Sequence, residues 1–327
     1  MFLSFAPMEG ITSAEYRRVH RRTFPGVDRY YAPFVSPDAA GNIKHRQLDA
    51  LRAEAKVSAR LVPQILTNDP AAFLAAARQL ADLGYAEVNL NLGCPSGTVT
   101  GKGKGAALLA DRDALCRLLD GIFAAPPAAV SVKTRMGWAS TEEFPALLEI
   151  YGRYPLAELI VHARDRAGLY RSRPDLAGFS PALRAGSFPV CYNGDIFSPA
   201  DLEELRAALP GVGRVMLGRG AAADPALFRL LRGGEPLAAR ELRAFLDALW
   251  EESLASGLPP VYALARMKEL WYYLRRKFPG GEKHLKKLFK SRRAEDYSAA
   301  VDTLFDSGCF DPLAFFRQPP EEMPAAF

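Results

Sequence analysis

The residues with the most chemical potential lie in one stretch, 86–109, AEVNLNLGCPSGTVTGKGKGAALL. Val88, Leu90 and Leu92 alternate with Asn89 and Asn91, which predicts a strand with both amides on one face. The strand breaks at Gly93-Cys94-Pro95 into a loop carrying Gly97, Gly101, Gly103 and Gly105, followed by an apolar helix start at Ala106–Leu109. A lone cysteine is more often a buried packing thiol. Here the proline and the glycines argue for an exposed, mobile loop, and that places Cys94 for chemistry. Cys116, Cys191 and Cys309 are scattered and no CxxC occurs, so neither a disulfide framework nor a metal site is expected.

Something must position that loop. Eight short apolar runs recur: Leu3–Met8, Arg29–Phe34, Ala59–Leu66, Ala86–Leu92, Ala129–Thr134, Glu158–His162, Phe188–Asn193 and Arg214–Gly218. Helical periodicity separates several of them, at Ser13–Thr23, Pro70–Leu83, Arg112–Phe123, Thr141–Tyr151, Pro199–Leu209 and Asp224–Leu231. Alternation of this kind predicts an α/β fold, a closed parallel (β/α)8 TIM barrel. An open doubly wound sheet is the alternative; the count of eight and the lack of a GxGxxG turn after the first run weigh against it.

A barrel collects its functional residues at the C-terminal ends of its strands. Those ends carry Pro7-Met8-Glu9-Gly10, Gln64, Asn91 with Cys94, Lys133 with Arg135, His162 with Arg164, Asn193-Gly194-Asp195 and Gly218-Arg219-Gly220. The loops after the seventh and eighth strands are the usual phosphate site of this architecture, and their glycines and Arg219 suit one. Lys133 suits either a Schiff-base nucleophile or a cation beside an electron-rich ring, unless it simply reaches solvent. His162 alone would read as a structural histidine; beside Arg164 at a strand end it reads as functional.

After Gly234 the strand signal stops. Periodicity at Glu241–Ser256, Val261–Phe278, Lys283–Phe289 and Tyr297–Phe305 predicts a small all-α helical bundle at 238–327, following a barrel domain at 1–237. The chain's net charge is +5, yet residues 266–293 hold eleven Lys/Arg against two acids, a local +9. That concentration, with interleaved aromatics, favours a polyanion footprint. Trp271 and Phe289 are expected in the bundle's core, with the cations on the outer faces. At 49% hydrophobic residues the chain can bury a full core, and no stretch approaches 18 apolar residues. The start, MFLSFAPMEG, has no basic n-region, so a cytoplasmic protein without a membrane or metal partner is expected.

Taken together, these residues resemble the tRNA-dihydrouridine synthases over nearly the full length. The signature GCP-x3-V-x3-G-x-GAALL stands as Gly93-Cys94-Pro95, Val99, Gly103, Gly105 and Ala106–Leu109, with Pro63-Gln64, Val132–Arg135, His162-x-Arg164, Asn193–Ile196 and Gly218–Gly220 around it. The Arg266-Met267-Lys268 and Trp271–Leu274 segments are similar to the family's helical domain. The resemblance implies FMN-dependent reduction of a specific uridine in tRNA to 5,6-dihydrouridine, with NADPH as reductant. It implies that C6 takes hydride and that Cys94 protonates C5. By the same resemblance Pro7, Met8, Glu9 and Gln64 would line the flavin and Lys133 would face its N1/O2 side. Asn193, Gly194, Asp195, Gly218 and Arg219 would hold the phosphate with His162 nearby, and Asn91, Arg135, Arg164 and Tyr170 would meet the uracil and its phosphate. A monomer bound to tRNA is expected.

The chain departs from the family pattern after His162, where a common H-x-R-T…Q-x-Y-x-G-x-A-[DN]-W becomes HARDRAGLYRSRPDL, and at Asn89, where many members carry Asp. The APMEG opening and the Cys-Pro-Ser-x-Thr-Val run are similar to the subgroup acting on position 16 of the D-loop. Other readings remain at this stage: an FMN barrel for a small molecule, a synthase acting on ribosomal RNA, a Lys133 Schiff-base barrel without flavin, or an RNA-binding protein on a barrel that has lost its catalysis.

Overall fold

The computed structural model describes residues 1–316 apart from Val57 and Ala59. Two sequence expectations run into the undescribed residues: the third apolar run begins at Ala59, and the helical region was drawn to 327. Nine strand segments form one sheet, all pairings parallel: β1 (Phe2–Phe5), β2 (Arg29–Tyr31), β3 (Leu61–Val62), β4 (Gln64–Ile65), β5 (Glu87–Leu92), β6 (Ala129–Gly137), β7 (Leu159–Asp165), β8 (Val190–Asn193) and β9 (Arg214–Leu217). Their order is β3-β2-β1-β9-β8-β7-β6-β5-β4.

The two ends of that order are one strand. β3 and β4 are halves of the third apolar run, divided at Pro63, which has no N–H to give a ladder. β3 pairs with β2 and β4 with β5, so the sheet closes into a barrel of eight staves. Pro63 still accepts the Asn89 amide at 2.9 Å, and the Val35–Ile65 bridge carries the β2 side past the proline.

The lumen is divided by chemistry. Ala6, Tyr31, Val62, Ile160, Cys191 and Met216 form a small apolar cluster of their own, separate from the main core between sheet and helices. The remaining staves send in polar groups, because Asn89 and Asn91 share one face of β5 while Ser131, Lys133 and Arg135 share one face of β6. At the N-terminal end, buried Glu158 accepts from Tyr31 Oη (2.6 Å) and Arg214 Nε (2.5 Å), closing the bottom of the barrel.

Four longer helices follow, at Ala239–Ala255, Pro260–Leu274, Glu282–Lys290 and Ala294–Asp306. The first lies on the barrel's own Ala14–Thr23 helix, with Phe245 edge-on to Tyr16 at 5.4 Å and Glu252 paired to Arg18 at 2.8 Å. Trp271 is fully buried and its Nε1 donates to Tyr297 Oη at 2.8 Å, in line with its expected core position. Phe289 packs against the same core from a partly buried position. That core runs without interruption from barrel to helices.

Candidate active site

The loop after β5 is built around one peptide. Asn91 Oδ1 accepts the N–H groups of Gly93 (3.1 Å) and Cys94 (2.9 Å), while Arg135 Nε donates to the Gly93 carbonyl at 3.0 Å. Further on, Ala106 N–H returns to the Cys94 carbonyl at 3.1 Å. That return needs Gly105 at φ +59°, where an added Cβ would sit 2.9 Å from the Cys94 oxygen. The thiol is held half-buried, and burial pushes its pKa up against the opposing pull of the Ser96 amide and of Arg135 and Lys133. It therefore keeps its proton at neutral pH and suits an acid better than a nucleophile.

Beside it, the half-buried Lys133 side chain makes no hydrogen bond or ion pair among the described residues. Burial, helped by Arg135, brings its ammonium down to about 8. An amine in this state is open to two uses, imine formation or stabilising a neighbouring anion. His162 is held well below its usual range by burial and by Arg135, Arg164, Lys133 and Arg219 around it. Its Nε2 lies 3.1 Å from Arg164 Nη1; an arginine only donates, so His162 is neutral with its proton on Nδ1.

Asp195 joins the ends of β7, β8 and β9. Arg164 grips its carboxylate through both terminal nitrogens, and Arg219 Nη2 reaches Oδ1 at 2.5 Å. One carboxylate against two guanidiniums leaves a net positive site. A side chain at Gly194 would force the buried Tyr192 ring to move, since a Cβ would fall 2.1 Å from Tyr192 Oη. Among the described residues the amides of Gly194, Asp195 and Gly218 have no backbone acceptor, which leaves donors beside the cations for an anionic group.

The structure brings most of the expected residues together. Met8 lies against Gly218, its N–H accepted by Thr12 Oγ1 at 2.8 Å, and Pro7 beside it is likewise half-buried. Glu9 is exposed, with Arg266 as its nearest opposing charge, and it lies close enough to Cys94 to help push the thiol up. Asn193 is committed to the Met216 carbonyl at 2.9 Å. Gln64 is buried between Asn89 and Asn91, at 2.7 Å from each.

Three expected substrate contacts are differently employed. Asn91 holds the Cys94 loop, and Arg135 and Arg164 are each only 1% exposed. Arg135 spends Nη1 on the carbonyls of Asp165 (2.9 Å) and Leu169 (3.2 Å), and Arg164 spends Nε on Ser172 (2.7 Å). Of that set Tyr170 alone is presented to solvent, its ring 4.2 Å from the Arg219 guanidinium and 5.6 Å from His162. Ser131 and Tyr273 belong to the site's surroundings and were not expected there; the alternation of Ser131 with Lys133 and Arg135 was the available signal.

Fold and site together define a barrel enzyme whose mouth sets a half-buried thiol beside a cationic, glycine-edged cluster. The family model described as dihydrouridine synthase (Dus) matches residues 4–302. The chain is 31% identical to tRNA-dihydrouridine synthase B of Pseudomonas putida, covering 97% of this chain and 91% of that one. It is 31% identical to the Pseudomonas aeruginosa protein of the same name (83% of each) and 30% identical to tRNA-dihydrouridine(16) synthase of Cupriavidus necator (85% and 89%). The chain belongs to the dihydrouridine synthase family.

Proposed function

We propose that this chain reduces a specific uridine of tRNA to 5,6-dihydrouridine, using bound FMN and NADPH. The observation that carries the reading is the half-buried Lys133, its ammonium unpaired among the described residues, set beside a thiol that burial keeps protonated. When bound and reduced by NADPH, FMN would supply the hydride that C6 of the base accepts.

The protein groups do the rest. Cys94 gives its proton to C5, where charge develops as C6 is reduced, and its thiolate is then reprotonated from solvent. Lys133 supplies the cation that an electron-rich ring system needs beside it, while Gln64 and the Pro7-Met8 turn shape the wall it lies on. Arg219 and the amides of Gly194, Asp195 and Gly218 suit the ribityl phosphate, with neutral His162 offering Nδ1–H. Tyr170 supplies an exposed ring where an extruded base must pass. The Lys283, Lys286, Lys287 and Lys290 side chains project from one exposed helix as the contact for the tRNA backbone. No described helix is long and apolar enough to cross a membrane.

The test uses one preparation. Flavin absorbance bands are expected, and undermodified tRNA with NADPH should gain dihydrouridine at a single position. Cys94→Ala should lower the rate roughly 10²-fold or more, the usual contribution of a positioned acid. Flavin bands without an RNA product would move the activity to a small molecule. A colourless protein that FMN cannot reconstitute, with borohydride trapping on Lys133, would overturn the flavin reading.

A further inference from the structure

Four side chains inside the barrel form a run of hydrogen bonds whose direction is set at one end. Asn91 Oδ1 accepts from the backbone N–H groups of Gly93 and Cys94, at 3.1 and 2.9 Å. A peptide N–H only donates, so the Asn91 oxygen must face the loop and its Nδ2 must face away. Nδ2 donates to Gln64 Oε1 at 2.7 Å, which turns Gln64 Nε2 toward Asn89 Oδ1, also at 2.7 Å. Asn89 Nδ2 then donates to Ser131 Oγ at 2.9 Å.

All four lie deep in the lumen: Asn89 and Ser131 are 0% exposed, Gln64 1% and Asn91 7%. A flip of any one amide would set donor against donor and acceptor against acceptor where no water relieves them. The orientation is therefore held as a unit, from Ser131 to the peptide that precedes the thiol. The same peptide is gripped from its other side by Arg135 Nε on the Gly93 carbonyl.

We propose that Asn89, backed by Ser131, is a positioning residue for the proton donor. Asn89 touches neither the loop nor the mouth. It acts by holding Gln64 and Asn91 in the one arrangement that fixes the Cys94 amide. The proposal rests on the reading of Cys94 as the acid. A carboxylate at 89 could still accept from Gln64 Nε2 and, with the hydroxyl reversed, from Ser131; a leucine of similar size could do neither.

The test compares the flavin-loaded wild type with Asn89→Leu, Asn89→Asp and Ser131→Ala. Alkylation of Cys94 by iodoacetamide is followed by mass spectrometry, with the half-exposed Cys116 and Cys309 as references in the same molecule. Asn89→Leu should react several-fold faster at Cys94 alone, and kcat should fall roughly tenfold as the donor loses its placement. KM for tRNA and flavin content should hold, Asn89→Asp should restore both readouts, and Ser131→Ala should fall between. Wild-type Cys94 reactivity and kcat in Asn89→Leu would overturn the proposal, as would a loss that Asn89→Asp fails to rescue. Should Asn89→Leu not fold, unchanged Cys94 reactivity in Ser131→Ala would overturn it. A Cys94→Ala enzyme with full activity would instead remove the acid reading itself, and this proposal with it.

Discussion

Lys133 concentrates the site's electrostatics in one amine. Burial, then Arg135, brings it down to about 8 from the ordinary lysine value of 10.5. The lowered value means that the folded protein holds this proton less tightly than the unfolded chain does, so any stability linked to it falls as pH drops from the unfolded value toward about 8. A ligand anion works the other way and favours the charged form. Affinity for reduced FMN is therefore expected to weaken as pH rises through about 8, where the empty protein's Lys133 loses its proton. Lys133→Met should bind reduced FMN more weakly at neutral pH and show no such inflection. Titrations with reduced FMN across that range decide it; a flat wild-type profile would show that Lys133 does not face the reduced, anionic ring. At this scale the loop that bears Cys94 was legible from its proline and glycines, but it is half-buried and pinned by Asn91 and Arg135 rather than exposed and mobile. The employment of Arg135 and Arg164 was not legible. Arg135 is held by the backbone carbonyls of Gly93, Asp165 and Leu169, and Arg164 gives its Nε to that of Ser172; a main-chain acceptor leaves no mark in the residue types.

Among the elements, the strands were the most legible because each is an apolar run bounded by turn residues. All eight runs contain strands, and the division of the third at Pro63 follows from its missing N–H. The helix His45–Ala55 gave no comparable signal: Lys44 offers no side-chain cap, and its first turn has no acid. Nor can one sequence supply register between strands, which is what sets Gln64 opposite Asn89 and His162 opposite Asn193. Register also explains how Asp195 gathers three strand ends into one cationic cluster. Its partners Arg164 and Arg219 are 1% and 13% exposed, so Asp195→Ala would leave two sheltered guanidiniums facing each other. A loss of about 2–4 kcal/mol is expected, toward the lower side of a broken buried pair because Asp195 keeps some solvent. Urea unfolding of Asp195→Ala against wild type measures it. A change within error would mean that solvent already screens the pair.

Across the whole molecule, the helical region is tied to the site rather than hung beside it. Lys277 and Asp224, 1% and 3% exposed, pair at 2.7 Å across the seam, and Asp224 follows directly on the short helix that bears Arg219. Tyr272, Tyr273 and Phe316 pack there with Phe197 and Ala223 of the barrel. Lys277→Met should cost about 3–5 kcal/mol by stranding Asp224, and Asp224→Leu combined with Lys277→Met should recover much of it; urea midpoints of the two variants test this. The same seam corrects the meaning of the +9 segment. The charge was legible as a sum, but its availability was not. Lys277 is buried, Lys268 donates to the Ser291 carbonyl, and Arg266 and Arg293 pair with Glu15 and Asp296. Lys283, Lys286, Lys287 and Lys290 remain exposed, at helical spacing and without ion pairs among the described residues, while Leu285 and Leu288 anchor the opposite face. If these four meet tRNA phosphates, changing all four to Gln should flatten the log–log dependence of binding on salt by about three to four units, at roughly 0.7–0.9 per contact. KM for tRNA should rise while kcat at saturation holds, because none of the four lies at the barrel mouth. An unchanged salt slope would place the tRNA on a different face of the molecule, and the seam would then hold the helices in place for some purpose other than carrying the substrate.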